Sequence, residues 1–233
     1  MEVGHVYLKV GTDEIIIDDF EALAYRLEQR AIPIAIRVFG RGVTVAYDLE
    51  EGTLREHIKI LATLWLIIQG IASYHNLRTS IIDLYHDAES FAREAIDEFH
   101  QITGTKTNDI ISQRVTPRDM ARLYRIIQNA DELATEWSPV PEAVQIRDQI
   151  ITDLGALCRA YPDDPGLAVL IKALPKGRKA PLPDTPAEAI AEDDLLRERR
   201  RKLVSKPPTE LPREPVAQRP FRRRRRYRHI THL

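Results

Sequence analysis

Apolar positions in this chain change period several times. The longest apolar run is Ile58–Ser73 (IKILATLWLIIQGIAS), which carries no charge from Ile60 onward. Its turns are apolar on every side, so as a helix it must be covered by other elements. It is shorter than the roughly 20 apolar residues a bilayer span requires. The run therefore predicts a buried central helix.

Before it, residues 5–48 read as a small α/β unit. In HVYLKV, Val6, Leu8 and Val10 alternate with His5, Tyr7 and Lys9, the period of a half-buried strand. Gly11-Thr12-Asp13 signals a turn, and Glu14–Asp18 (EIIID) predicts a second strand. Asp18 or Asp19 then caps a helix to about Gln29, with a Phe20, Leu23, Ala24, Leu27 stripe. After Pro33, Ile34, Ile36 and Val38 alternate with Arg37 and Phe39, predicting a third strand. Gly40-Arg41-Gly42 makes the next turn, and GVTVAYD (42–48) is the fourth strand. The order β-β-α-β-β predicts a four-stranded sheet with one helix, a two-layer sandwich. The glycines of FGRG do not form a phosphate-binding loop, because such a loop needs a helix N-terminus after it.

Residues 51–137 predict three helices. The first passes through Leu54, Ile58, Leu61, Leu64, Trp65, Ile68 and Ile71 and ends at Tyr74-His75-Asn76. The second, Thr79 to Ile102, has an apolar stripe, an acidic face and a stop at Gly104. Thr105–Val115 reads as a loop. Thr116-Pro117-Arg118-Asp119 opens the third, with a Thr cap, Pro at the first helical position and an acid behind it. It runs to about Trp137. A fourth helix, Glu142–Tyr161, and a short one over GLAVLIKAL (166–174) follow, separated by proline breaks.

From Pro175 prolines recur densely, which prevents long helices or strands. Thr185–Val204 is the exception. Thr185 caps, Pro186 starts, acids come early and bases late, matching the helix dipole. With few apolar positions, this helix has to dock on the body or on a partner. The expected fold class is therefore α+β: a small four-stranded sheet with one helix (1–50), a helical bundle packed on it (51–175), and an extended basic C-terminal arm (176–233).

Charge sharpens this division. The 233 residues hold 34 Lys+Arg against 35 Asp+Glu, yet residues 176–233 hold 17 basic and 8 acidic residues. The body therefore carries 17 basic and 27 acidic residues, or −10 against +9 for the arm. Such asymmetry points to a polyanion partner for the arm, or to an arm that folds back on its own acidic body.

The run FRRRRRYRHITHL carries the main functional signal. Arg222, Arg223, Arg224, Arg225, Arg226 and Arg228 stay charged at any physiological pH, and each guanidinium can grip a phosphate through two parallel hydrogen bonds. Tyr227 can stack on unpaired bases. A second basic cluster, Arg197, Arg199, Arg200, Arg201 and Lys202, lies on the Thr185–Val204 helix. Nucleic acid bound without sequence preference is the first expectation, and an acidic protein surface the second. Anionic lipid is a third polyanion.

Catalytic and metal signals are weak. His229 and His232 form HxxH, two ligands where a structural metal takes four. Asp83/His86 and Asp97/His100 recur on one helix but stand about 21 Å apart along it. There is no G-x-S-x-G, HExxH or Walker-type loop. The single Cys158 excludes an intrachain disulfide and reads as a small core residue.

The expectation is a non-catalytic interaction or assembly subunit with no metal or cofactor, in a homo-oligomer or larger assembly. The alternatives are a structural oligomer whose arm docks on acidic surfaces of neighbours, and an enzyme with its site between sheet and bundle. The N-terminus lacks a signal peptide's charged start and apolar core, so the expected location is cytoplasmic, without membrane insertion.

Overall fold

The computed structural model describes residues 1–10, 19–40, 42–50, 54–62, 64, 73–114, 117–134, 140–175, 181–204 and 226–233. It is an α+β fold with a five-stranded antiparallel sheet and, among the described residues, six α-helices. In chain order the elements are β1 (Glu2–Val10), α1 (Phe20–Phe39), β2 (Thr44–Glu50), β3 (Leu54–Leu61) and α2 (Tyr74–Thr103). Then come β4 (Ile110–Arg114), α3 (Arg118–Ala134), α4 (Val140–Ala160), α5 (Pro165–Ala173), α6 (Pro186–Val204) and β5 (Arg226–His232). The sheet order is β4-β1-β3-β2-β5.

Three parts of this sheet differ from the sequence expectation. Residues 34–39 are helix: α1 runs through Pro33 to a Gly40 cap, whose φ is 76° and whose N–H reaches the Ile36 carbonyl at 2.9 Å. A strand would bury Ile34 and Ile36 alike. Instead Ala31, Ile34 and Ala35 are buried and Ile36 is exposed, which is helical spacing. Conversely, residues 54–61 are strand rather than the start of a long helix. Glu56, Ile58 and Ile60 are buried while Arg55, His57 and Lys59 face outward. Leu64 is also buried, and residues 65–72 of the apolar run lie outside the described residues. The third difference is Ile110–Arg114, expected as loop, which pairs with Tyr7–Val10 as an edge strand. The expected strand at 14–18 lies outside the described residues.

Other boundaries agree with the local chemistry. Asp19 caps α1 through the Ala22 N–H at 2.9 Å, and Gly104 ends α2 in the left-handed region. α2 begins at Tyr74, capped by Ser73, where the sequence suggested that a preceding helix ended. α6 matches its expected span and docks on α4. Gly155 of α4 makes that approach possible: a Cβ there would stand 2.6 Å from Asp193 Cβ. Asp193, wholly buried, takes the guanidinium groups of Arg159 and Arg197.

Helices cover one face of the sheet. α1 and α2 pack together, α2 on β1 and α1 on β2, with α3 against both α2 and β1 and α4 on α3. The core between them holds Val6, Leu8, Val45, Leu49, Ile58 and Ile60 from the sheet, and Leu23, Leu27, Phe91 and Phe99 from the helices. No described helix is long and apolar enough to cross a membrane. The free basic arm expected from sequence is not what the C-terminus forms. Residues 226–232 are the fifth strand of the sheet, hydrogen-bonded to β2 in antiparallel register, and residues 205–225 lie outside the described ones.

Candidate functional site

The face of the sheet opposite the helices is polar. Strand alternation puts His5, Tyr7 and Lys9 of β1 there, with Arg55, His57 and Lys59 of β3, Asp48 and Glu50 of β2, and Arg226 and Arg228 of β5. Register aligns them into rows across the strands. One row is Tyr7–His57–Asp48–Arg228, and its neighbour is Lys9–Arg55–Glu50–Arg226. Among these residues and Glu2, five are basic (Lys9, Arg55, Lys59, Arg226, Arg228) and three acidic (Glu2, Asp48, Glu50), before any histidine is protonated. A solvent-open cleft of about 660 Å³ lies over the two rows, lined by His5, Tyr7, Arg55, His57 and Arg226 and by Asp48 and Glu50, with Ser112 and Gln113 of β4 at its rim.

The charged groups are held by one another. Arg226 Nε donates to Asp48 Oδ1 at 2.8 Å, its Nη2 donates to Asp48 Oδ2, and Arg228 Nε donates to that same oxygen at 3.1 Å. Partial burial works against the Asp48 carboxylate, but the Arg226 and Arg228 hydrogen bonds outweigh it and hold its pKa below the usual range. Glu2 behaves likewise. Burial would raise its pKa, but His5, at 2.7 Å through Nδ1, and Lys59, at 3.6 Å, lower it. Arg55 reaches Glu50 at 3.5 Å.

An aromatic pair sits beside these ions. The Tyr7 and His57 rings meet edge to face with centroids 4.5 Å apart, and His5 lies 5.8 Å beyond. Burial, then the proximity of His5, lowers the His57 pKa and favours its neutral ring. Two nitrogens of the lining residues, His5 Nε2 and Arg55 Nε, are buried and have no hydrogen-bond partner among the described residues.

Of the arginines expected to bind polyanions, two are described, both on β5 at the edge of this face. Arg226 and Arg228 stand on the open side, while Arg222 to Arg225 lie outside the described residues. Tyr227 falls on the other side of the strand, its hydroxyl on Glu28 of α1 and its ring 6.1 Å from Tyr47. The second basic cluster is exposed on α6. Arg197 is tied to Asp193, Lys202 to Glu198 at 2.7 Å and Arg200 to Thr152 at 3.5 Å, with Arg199 and Arg201 also at the surface. α6 packs on α4 and α5 rather than on the sheet.

Strand geometry splits His229 and His232 between opposite faces. His229 meets Glu28 beneath the sheet, and His232 meets Thr44 at 3.0 Å. Among the described residues no three His, Cys, Asp or Glu side chains cluster as a metal site. His100 is bonded to Thr105 at 2.8 Å, and His86 lies 3.8 Å from Glu89. Cys158 is buried, and burial raises its thiol pKa to about 11, which leaves little thiolate.

Arg55 and His57 escaped the sequence reading because Leu54, Ile58 and Leu61 also fit helical spacing. The alternation His57-Ile58-Lys59-Ile60 was the signal for a strand. No protein-family model, curated protein or solved structure matches the chain.

Proposed function

We propose that this protein is a non-catalytic binding subunit that holds nucleic acid without sequence preference, with Arg222–Arg226 and Arg228 gripping phosphates. One observation carries the reading. The arginine run is continuous with β5, whose Arg226 and Arg228 stand on the polar, open face of the sheet. Asp48 takes both guanidinium groups and Glu50 also acts on Arg226, so the two arginines are oriented by the acids beside them. Phosphates approaching that edge meet fixed donors there and a string of four more arginines upstream. Each neutralised phosphate releases counterions, which makes affinity fall steeply with salt. The basic cluster on α6 extends the footprint, and 20-odd residues between α6 and β5 set the local concentration of one contact relative to the other. The reading carries with it a cytoplasmic location, where such a partner is within reach.

A second reading has its own support. β5 is held by acids of the body, Glu28 and Asp48. The same contacts made between copies would give an oligomer by exchange of β5, with no nucleic acid involved.

Size-exclusion chromatography of the full chain, read at two wavelengths with and without nuclease, separates these readings. Since β5 is part of the sheet, the comparison is a chain with Arg222–Arg225 changed to serine rather than a truncation. Nuclease-sensitive nucleic acid in the parent peak and its loss in the variant are expected. A nucleic-acid-free oligomer insensitive to the substitutions favours strand exchange.

A further inference from the structure

The cleft on the open sheet face is not explained by the arginine run. It contains an aromatic pair, two unpartnered nitrogens and a set of fixed ions, arranged on rigid strands. We infer that it is a site for one unpaired nucleotide of a single-stranded nucleic acid, the base packed on Tyr7 and His57 and the phosphate held by Arg55 and Arg226. This rests on the nucleic-acid reading above and goes further: it assigns a site that adds Tyr7, His57 and Arg55 to Arg226 of the run, and a strandedness that the arginine run does not specify.

Size and shape allow it. The cleft, at about 660 Å³, falls in the range of small-ligand sites and is open along the sheet, so a chain can enter and leave. Its chemistry matches the two ends of a nucleotide. Tyr7 and His57 offer π faces and edges within one row, and a base of any identity stacks on such groups. Duplex bases are already stacked on one another, so only an unpaired base gains this interaction.

The polar end holds donor and acceptor atoms left over from the ion pairs. Arg55 uses Nη1 on Glu50 and keeps Nε, a donor, without a partner. His5 uses Nδ1 on Glu2 and keeps Nε2 without a partner, and the residue is 9% exposed. Nε2 donates if the ring is protonated and accepts from a base amino group if it is neutral. Buried polar atoms without partners are uncommon; these two are covered in the unliganded cleft, so a ligand completes them only when the Arg55 and His5 side chains turn outward. The acids do not bar a phosphate. Asp48 already accepts from Arg226 and Arg228, Glu50 from Arg55, and Glu2 from His5.

The test compares a labelled 12-nucleotide single strand with the matching duplex, by fluorescence anisotropy with the full chain. Tyr7→Leu combined with His57→Gln removes the stacking surface and retains every arginine. The expected result is a loss of about tenfold or more for the single strand and less than about twofold for the duplex. Equal losses, or no loss for the single strand, overturn the site while leaving the arginine-run reading intact. Failure of the parent to bind either probe overturns both. Photocrosslinking of the parent to a bromouracil-substituted strand gives a second readout that needs no variant. Adducts on the peptides containing Tyr7 or His57 are expected, and adducts confined to residues 205–225 count against the site. Uridine monophosphate is expected to compete only at millimolar concentration. Competition at micromolar concentration would reassign the cleft to a free nucleotide.

Discussion

The Tyr227 hydroxyl donates to Glu28 Oε2 at 2.8 Å, joining the last strand of the sheet to the first helix. Glu28 is 1% exposed, and its other oxygen accepts from Thr231 at 3.2 Å and meets His229 Nδ1. One buried carboxylate thus collects three side chains from a single strand, on the face opposite Arg226 and Arg228. The chain end that carries the arginines is fastened from below by Glu28 and from above by Asp48.

Glu28→Ala removes the lower fastening and leaves the Tyr227 hydroxyl without its partner. Loss of a hydrogen-bonded buried acid is expected to destabilise the fold by about 1–3 kcal/mol. Hydrogen–deuterium exchange should locate the effect in residues 226–232, with α4 and α6 unchanged. Uniform exchange across the chain would place the role of Glu28 elsewhere.

Glu56 gives a pH dependence. It is buried under β3 with the Tyr47 hydroxyl at 3.0 Å, and burial pushes its carboxyl up to about 8. The native chain keeps a proton that the unfolded chain releases near its ordinary value of about 4.5. This contribution to stability is therefore whole below about 4.5, declines as pH rises, and is gone above about 8. Glu56→Gln, which cannot ionise, should flatten that decline. Denaturant melts at pH 5 through 9 should show the variant gaining on the parent as pH rises, and parallel curves would contradict it.

Gly155→Ala tests how α6 is seated. The added Cβ would lie 2.6 Å from Asp193 Cβ and 3.1 Å from the Ala189 carbonyl oxygen, so α6 must shift off α4. The expected loss is about 1–3 kcal/mol, typical of overpacking. Limited proteolysis should then cut between α5 and α6 or within α6 sooner than in the parent.

Pro33 lies exposed inside α1, where it removes one backbone hydrogen bond. Pro33→Ala should restore that bond and raise the melting temperature, by a stabilisation of up to about 3 kcal/mol. A lower melting temperature would mean that α1 requires the ring.

Local signals were legible where one period dominated. β1, β2, the cap at Asp19, the stop at Gly104 and the whole of α6 follow from alternation or capping chemistry. Errors arose where two periods coincide. Ile34-Ala35-Ile36 alternates like a strand and also fits the α1 stripe, and the proline argued for a break that tertiary burial overrides. Leu54, Ile58 and Leu61 lie on one helical face and also within a strand. The pairing of residues 226–232 with β2 was not visible, because it depends on partners about 180 to 200 residues away in sequence, Asp48 and Glu28, and on no local pattern. For the same reason the outward side chains of β1 could be named from sequence, whereas their alignment with His57, Asp48 and Arg228 could not.

The most direct test of phosphate capture by the arginine run is the salt dependence of single-strand binding, for the full chain and for the variant with Arg222–Arg225 changed to serine. The account predicts that log Kd rises steeply and linearly with log salt for the parent, and that the slope drops by about 3 in the variant, roughly 0.7 for each phosphate no longer neutralised. Equal slopes for the two chains, or a parent affinity indifferent to salt, would contradict it.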